Sequence, residues 1–215
     1  LAHYPETACF EHLPLITFAR CFCTTMRKAF LVGGCLLSGH ATAAHAQAVA
    51  YLLDVAHTRV HWEVMHFGTS TTRGRFDDVS GSVELDAVSG TGEVSIAVRT
   101  ASVNTGVPPL DGVLRRSYLE SEAHPVAYFV ARHWRWQRDA PLDVRGEFTL
   151  RGVSLPLSLR ASALRCYLHP QLQREVCGAD LTASLRRSDF GMTDGLPFIG
   201  DTVTLVIQVE AIRQP

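Results

Sequence analysis

The chain has 215 residues, 47% of them apolar and 19% charged, which is enough for one sizeable core and too apolar for an intrinsically disordered chain. Twenty basic residues stand against twenty-one acidic ones, a formal charge of -1, so no whole-chain basic field exists to hold a nucleic-acid backbone. Nucleic acid is therefore not expected as a partner.

In chain order the first feature is Met26-Arg27-Lys28, followed by an apolar run from Ala29 to Leu37 and by the small residues Ala44-His45-Ala46 just before Gln47. This is the layout of a secretory signal peptide. Residues 26–46 are read as that signal, residues 1–25 as a mis-assigned N-terminal extension ahead of the true start at Met26, and residues 47–215 as one domain. The apolar run falls far short of the roughly 20 residues needed to cross a bilayer, and no later stretch reaches that length. The mature chain is expected to carry no transmembrane segment and to be periplasmic or secreted.

Removing the leader takes away Cys9, Cys21, Cys23 and Cys35 and leaves Cys166 and Cys177. Two cysteines in an oxidising compartment point to one disulfide, stapling a hairpin and contributing roughly 3 kcal/mol at most. No metal site is expected, because His169 alone does not complete a zinc shell, and His57 and His61 share a strand face without a third ligand.

From Tyr51 onward the pattern alternates with period two. Val60, Trp62, Val64 and His66 fall on one face, with Arg59, His61, Glu63 and Met65 opposite. Val83 and Leu85, then Val94, Ile96 and Val98, give two more strands. Val126 to Trp134 is rich in aromatic and β-branched residues, although the faces of Tyr128 and Phe129 are ambiguous. Gly146, Phe148 and Leu150, then Leu155, Leu157 and Leu159, then Leu181, Ala183 and Leu185, and finally Val203, Leu205, Ile207 and Val209 continue the series to about eight strands. Most separators are short and built of turn formers, which favours hairpins and an antiparallel sheet. The long separator from Asn104 to Pro125 contains Pro108 and Pro109 and then a short helical stretch with Leu110, Leu114 and Leu119 inward. The expected fold is all-β: an eight-stranded antiparallel β-barrel with a short helical lid between strands 3 and 4, closed on itself and holding either packed side chains or one small ligand.

Five patterns then coincide in order: Asp54-x-x-His57-Thr58; Val60-x-Trp62-x-Val64-x-His66-x-Gly68; Gly74-Arg75-Phe76 with Gly81; Gly146-Glu147-Phe148-Thr149-Leu150-Arg151-Gly152-Val153-Ser154-Leu155-Pro156; and Arg187-Ser188-Asp189-Phe190-Gly191. Together, over roughly Tyr51 to Ile212, they resemble the YceI-like family of periplasmic, lipocalin-like barrels. That resemblance implies a lipid-binding barrel over residues 47–215. Its interior would take an amphiphilic isoprenoid lipid such as a polyprenyl phosphate or an isoprenoid quinone, with no common enzymatic activity and no cofactor beyond that ligand. One departure stands out: where the family often has Asp, any residue, His, Leu, Arg, this chain reads Asp111-Gly112-Val113-Leu114-Arg115, so the histidine is absent.

A lipid tail needs apolar surface shielded from water and little else. The inward positions read from the alternation are Val60, Trp62, Val64, Phe76, Val94, Ile96, Val98, Phe148, Leu150, Leu157 and Leu205, joined by Leu114 of the lid. Each could equally be plain core. His66, on the Trp62 face, would be a polar ring among apolar neighbours, satisfied by a partner such as Asp189 or by a ligand head group. Arg187-Ser188-Asp189 reads either as a turn with an internal ion pair or as the place where Arg187 meets a phosphate or a quinone carbonyl. Nucleophilic catalysis has no support: there is no Gly-x-Ser-x-Gly elbow and no free thiol, and Asp77 and Asp78 read as a solvated pair.

The function expected is therefore that of a non-enzymatic binding protein. A transient contact with a membrane redox or lipid-synthesis protein fits this reading, which leaves the oligomeric state open, a dimer included. The rivals are a stress-response or redox-partner protein with a filled barrel and, third, an enzyme of isoprenoid or fatty-acyl chemistry using His66 or Asp189.

Overall fold

The computed structural model describes residues 48–215, so the expectations for the leader and the extension before it lie outside the described residues. The alternating runs become strands: β1 Val49–Leu53, β2 Arg59–His66, β3 Ser70–Phe76, β4 Val79–Asp86, β5 Thr91–Arg99, β6 Val103–Asn104, β7 Val126–Arg135, β8 Leu142–Leu150, β9 Val153–Ala161, β10 Arg165–Leu168, β11 Glu175–Arg186 and β12 Ile199–Arg213.

Every ladder between these strands is antiparallel. The long strand β12 carries β2 along its first part (Val203↔Val64, Ile207↔Val60) and β1 at its end (Leu53↔Ala211), so β1 and β2 form one row interrupted by the turn at Asp54. Opposite them, β3 pairs β2 and β4 pairs β1. In the next row β5 and β6 are separated by a 3-10 turn, Thr100–Ser102. Eight rows result, in chain order, and the first meets the last across β12. A closed antiparallel barrel leaves no free edge in that ring, which is the physical reason such a meander closes. Strand β10 stands outside the ring as a hairpin partner of β11.

The expected lid forms within the separator Asn104 to Pro125, but its place in the strand count differs. Helix α1, Pro108–Val113, follows β6 and precedes β7 rather than lying between a third and a fourth strand. The alternation pattern merges rows that backbone kinks at Asp54, at Asp77-Asp78 and at Thr100–Ser102 break into separate ladders, and it passes over β3, β6 and β10. Two prolines open α1, where the missing N–H groups carry no penalty. The buried Asp111 carboxylate accepts the Thr105 backbone N–H and the Thr105 hydroxyl, both at 2.7 Å, and so anchors the helix to the loop before it. A single wider turn, Leu114–Tyr118, extends α1, with the Leu119 N–H bonding the Leu114 carbonyl.

Two tryptophans lie over glycines on the neighbouring row. Trp62 is paired with Gly74, where a Cβ would fall 2.3 Å from the indole, and Trp134 is paired with Gly92, where it would fall 2.5 Å away. Only glycine admits a ring lying flat on the strand beside it, so each glycine sets the position of one indole.

Candidate ligand-binding chambers

The inward residues of the rows do not fill the barrel. Two cavities occupy it, one of about 140 Å³ and one of about 380 Å³. Val60, Val98, Phe148 and Leu205 line both and form the waist between them. The Phe148 ring is braced at that waist by Phe190, edge to face at 5.6 Å.

The smaller chamber is lined by Val94, Ile96 and Leu157 among the expected residues, and also by Trp134, Leu142, Val144 and Leu181. Its end is closed by the β10–β11 hairpin, where Cys166 and Cys177 form the expected disulfide across directly paired positions, and Cys177 faces the chamber. Beside it the buried Tyr51 hydroxyl donates to Glu175 at 2.6 Å, and Arg138 meets the same carboxylate at 3.2 Å. Burial first, and then the bond to the Glu175 carboxylate, push the Tyr51 phenol up to about 12. That same bond holds the Glu175 carboxyl below its ordinary value.

The larger chamber takes Trp62, Val64, Phe76, Leu114 and Leu150, with Tyr118, Met192, Ile199 and Val203 beside them. Helix α1 covers it through Leu110, Val113 and Leu114. Its polar side chains are His66, Thr72, Tyr118 and Arg187, whereas the smaller chamber has Thr58, whose hydroxyl donates to the Glu210 carbonyl. Among the described residues no carboxylate lines either chamber.

Each site residue expected from the sequence, Asp189 excepted, lines one of the chambers. Asp189 sits instead in an outer groove between β9 and β11 with Pro156, Ser184 and Arg186. These two strands pair only at Leu181↔Ala161 and Thr182↔Arg160 and splay beyond. His66 also departs from expectation. It is exposed at the rim, edge-on to Phe67 at 4.7 Å, and among the described residues neither Asp189 nor any other side chain bonds its ring. The strand ends at His66, so the inward face at that position opens to solvent instead of to core. Tyr128 points outward and Phe129 inward.

Arg187 opens a 3-10 turn, Arg187–Phe190, that ends on Gly191 in the left-handed conformation (φ 75°). The ion pair expected within this motif forms one residue earlier, from Arg186 to Asp201 at 2.8 Å. Arg187 itself is 3% exposed and donates to three backbone carbonyls, Gly200 (2.9 Å), Met192 (2.5 Å) and Ile199 (2.9 Å), with the Tyr118 ring 5.7 Å from its guanidinium carbon. The Asp54-x-x-His57 pattern is a turn: Asp54 accepts the Ala56 N–H at 2.9 Å and pairs with the His57 ring at 2.8 Å, which raises the histidine's pKa and lowers the carboxyl's. Glu210 lies beside that pair, and none of these three side chains lines either chamber. Tyr118 and Met192 lie in a turn and a loop, which carry no strand period, and Ile199 opens β12 ahead of a register shift, so the alternation marks none of the three.

A family model for the YceI-like domain matches residues 51–211. The chain belongs to the YceI-like family. Among its relatives, a UPF0312 protein of Ectopseudomonas mendocina is 30% identical over 190 residues, covering 86% of this chain and 96% of that one. A UPF0312 protein of Pseudomonas paraeruginosa is 31% identical over 193 residues, covering 88% and 100%. Solved structures of the same fold include BcnA of Burkholderia cenocepacia, with a TM-score of 0.63 at 18% identity over 74% of this chain and 98% of that one. A polyisoprenoid binding domain from Saccharophagus degradans, implicated in plant cell wall breakdown, gives a TM-score of 0.58 at 20% identity over 77% and 99%.

Proposed function

We propose that this YceI-like protein sequesters one amphiphilic isoprenoid lipid, a polyprenyl phosphate or an isoprenoid quinone, and acts by binding it rather than by transforming it. The tail runs through the waist into the smaller chamber, and the polar end stays under α1. The observation that carries this reading is the interior itself: two adjoining cavities walled mostly by aliphatic and aromatic side chains, with the one charged side chain among the described lining residues at the larger end. Burying a methylene contributes about 0.8 kcal/mol, so a chain of several isoprene units outweighs the cost of immobilising the guest. A cavity of about 380 Å³ lies within the usual range for small-molecule sites. The likeness to a polyisoprenoid binding domain supports the same reading. The disulfide and the leader-like N-terminal pattern favour the periplasm or another oxidising compartment.

A stress-response or redox partner with a filled barrel would need a packed interior, which these cavities oppose. An enzyme using His66 or Asp189 has less support, because His66 is exposed at the rim and Asp189 lies in the outer groove away from the chambers. Native mass spectrometry of protein from its own host, with solvent extraction, is expected to release one long-chain isoprenoid per chain. Absence of any co-purifying lipid, together with no uptake of added isoprenoids, overturns the proposal.

A further inference from the structure

We infer that Asp54, His57 and Glu210 form a surface site for a divalent transition-metal ion of the zinc class, outside the barrel interior. The imidazole and the two carboxylates each offer one donor atom, and the three donors lie within 4.8 Å of one another. The expectation of no metal site rested on His57 and His61 lacking a third ligand. The fold supplies two other partners for His57: Asp54 from the same turn, and Glu210 because the end of β12 pairs with β1. Among the described residues the other such grouping is Cys166, Glu175 and Cys177, whose sulfurs are spent on the disulfide.

Backbone bonds fix the frame that carries these donors. The Asp54 N–H donates to the Glu210 carbonyl at 2.8 Å, and the Thr58 hydroxyl donates to that carbonyl at 3.2 Å and accepts the Glu210 N–H at 3.3 Å. The Gln208 side-chain amide donates to the His57 carbonyl at 3.0 Å. Asp54 spends one carboxylate oxygen on the Ala56 N–H, which aims the other at His57 Nδ1, 2.8 Å away. A tetrahedral zinc ion with bonds of about 2.1 Å separates its ligand atoms by roughly 3.4 Å. The Asp54–His57 spacing of 2.8 Å and the outer limit of 4.8 Å bracket that value, so small rotations of surface side chains complete the shell.

Charge favours a cation there. Among the described residues neither Asp54 nor Glu210 forms an ion pair with an arginine. Arg59 is close, but its guanidinium donates to the Val55 and Thr58 carbonyls, at 2.8 and 2.6 Å. The Tyr167 hydroxyl of the β10 hairpin donates to Glu210 at 3.3 Å and orients that carboxylate. On binding, His57 Nδ1 releases to solvent the proton it donates to Asp54, and takes the metal in its place. An imidazole beside two carboxylates selects zinc-class ions over Ca²⁺ and Mg²⁺, which prefer oxygen ligands alone. His57 is 59% exposed, so water fills the rest of the shell. The bound ion ties the β1–β2 turn to β12, across the junction where the first row of the barrel meets the last.

The test is isothermal titration calorimetry of the whole mature protein with ZnCl₂, after EDTA treatment and dialysis, paired with thermal unfolding in the presence and absence of zinc. One Zn²⁺ per chain is expected to bind in the micromolar range, with excess CaCl₂ leaving the titration unchanged. His57→Ala and Glu210→Gln are each expected to weaken binding at least about tenfold. Free zinc at about a hundred times the Kd is expected to raise the wild-type melting temperature by about 5 °C or more, and to leave both variants unmoved. Glu210→Gln keeps every backbone bond that holds the turn, so it decides the matter should His57→Ala fail to fold. No zinc uptake by the wild type, uptake undiminished in both variants, or displacement of zinc by Ca²⁺ overturns the inference.

Discussion

The two ends of the barrel are built from the same alternating strands and close in different ways. At the smaller chamber a β-hairpin is stapled by Cys166–Cys177 and flanked by the buried Tyr51–Glu175 bond, and the cavity lining contains no charged side chain. At the larger one the cover is a six-residue helix and a turn, the volume is nearly three times greater, and Arg187 supplies a buried charge. The disulfide stiffens the hairpin at one end, whereas the cover at the other is a short helix held by Asp111 and a few leucines. On the proposed carrier reading, that difference suits the tail to the stapled end and the head to the helix-covered one.

Phe148 at the waist should give the largest effect when removed. Phe148→Ala is expected to cost about 3 kcal/mol, through lost contact with Phe190 and a cavity merging both chambers. Denaturant unfolding measures the loss, and a lipid longer than the wild type accepts should now bind. Next, Cys166→Ser with Cys177→Ser should lower stability by about 3 kcal/mol or slightly less. Hydrogen exchange is expected to quicken along β10 and the start of β11 while the strands around the larger chamber keep their protection; a uniform increase would contradict the view of two separately closed ends.

The two tryptophan–glycine pairs offer a direct contrast. Gly92→Ala pushes Trp134 towards the small cavity and Gly74→Ala pushes Trp62 towards the large one. Overpacking should therefore cost about 2 kcal/mol at Gly92 and about 1 kcal/mol at Gly74, where space exists to take up the displaced ring. Equal costs would show that the larger chamber has no slack. The smallest effect is expected for Tyr51→Phe, about 1 kcal/mol at neutral pH from one lost hydrogen bond. Its signature is in alkali. The folded phenol ionises near 12 against 10.0 for the free group, so its contribution is complete below about pH 10 and is lost as pH rises towards 12. Stability curves of wild type and Tyr51→Phe should converge over that window.

Much of the fold is legible because the strands alternate cleanly. Val60, Trp62 and Val64 declare an inward face that the structure keeps, and Cys166 and Cys177 are cross-strand partners as their isolation in the domain led one to expect. Strand β3, Ser-Thr-Thr-Arg-Gly-Arg-Phe, is not legible, since its row is held by backbone pairing to β2 and its one buried inward position is a glycine under Trp62. His66 shows the limit of periodicity in another way: the face is right, but the strand runs out at the rim and the ring meets solvent. Tyr118 and Met192 reach the chamber from a turn and a loop, where neighbours in sequence say nothing about direction.

Local pattern by itself determined that this chain is an antiparallel β meander with an apolar inner face, a stapled hairpin and a helical interruption, because each of these depends on residues a few positions apart. Tertiary structure alone decided that the inner face is left hollow, that the hollow has a waist at Phe148, and that Arg187 ends up buried at one end, held by backbone carbonyls. Those outcomes depend on how side-chain volumes and charges from all eight rows sum around one axis, a quantity that no single stretch of sequence contains.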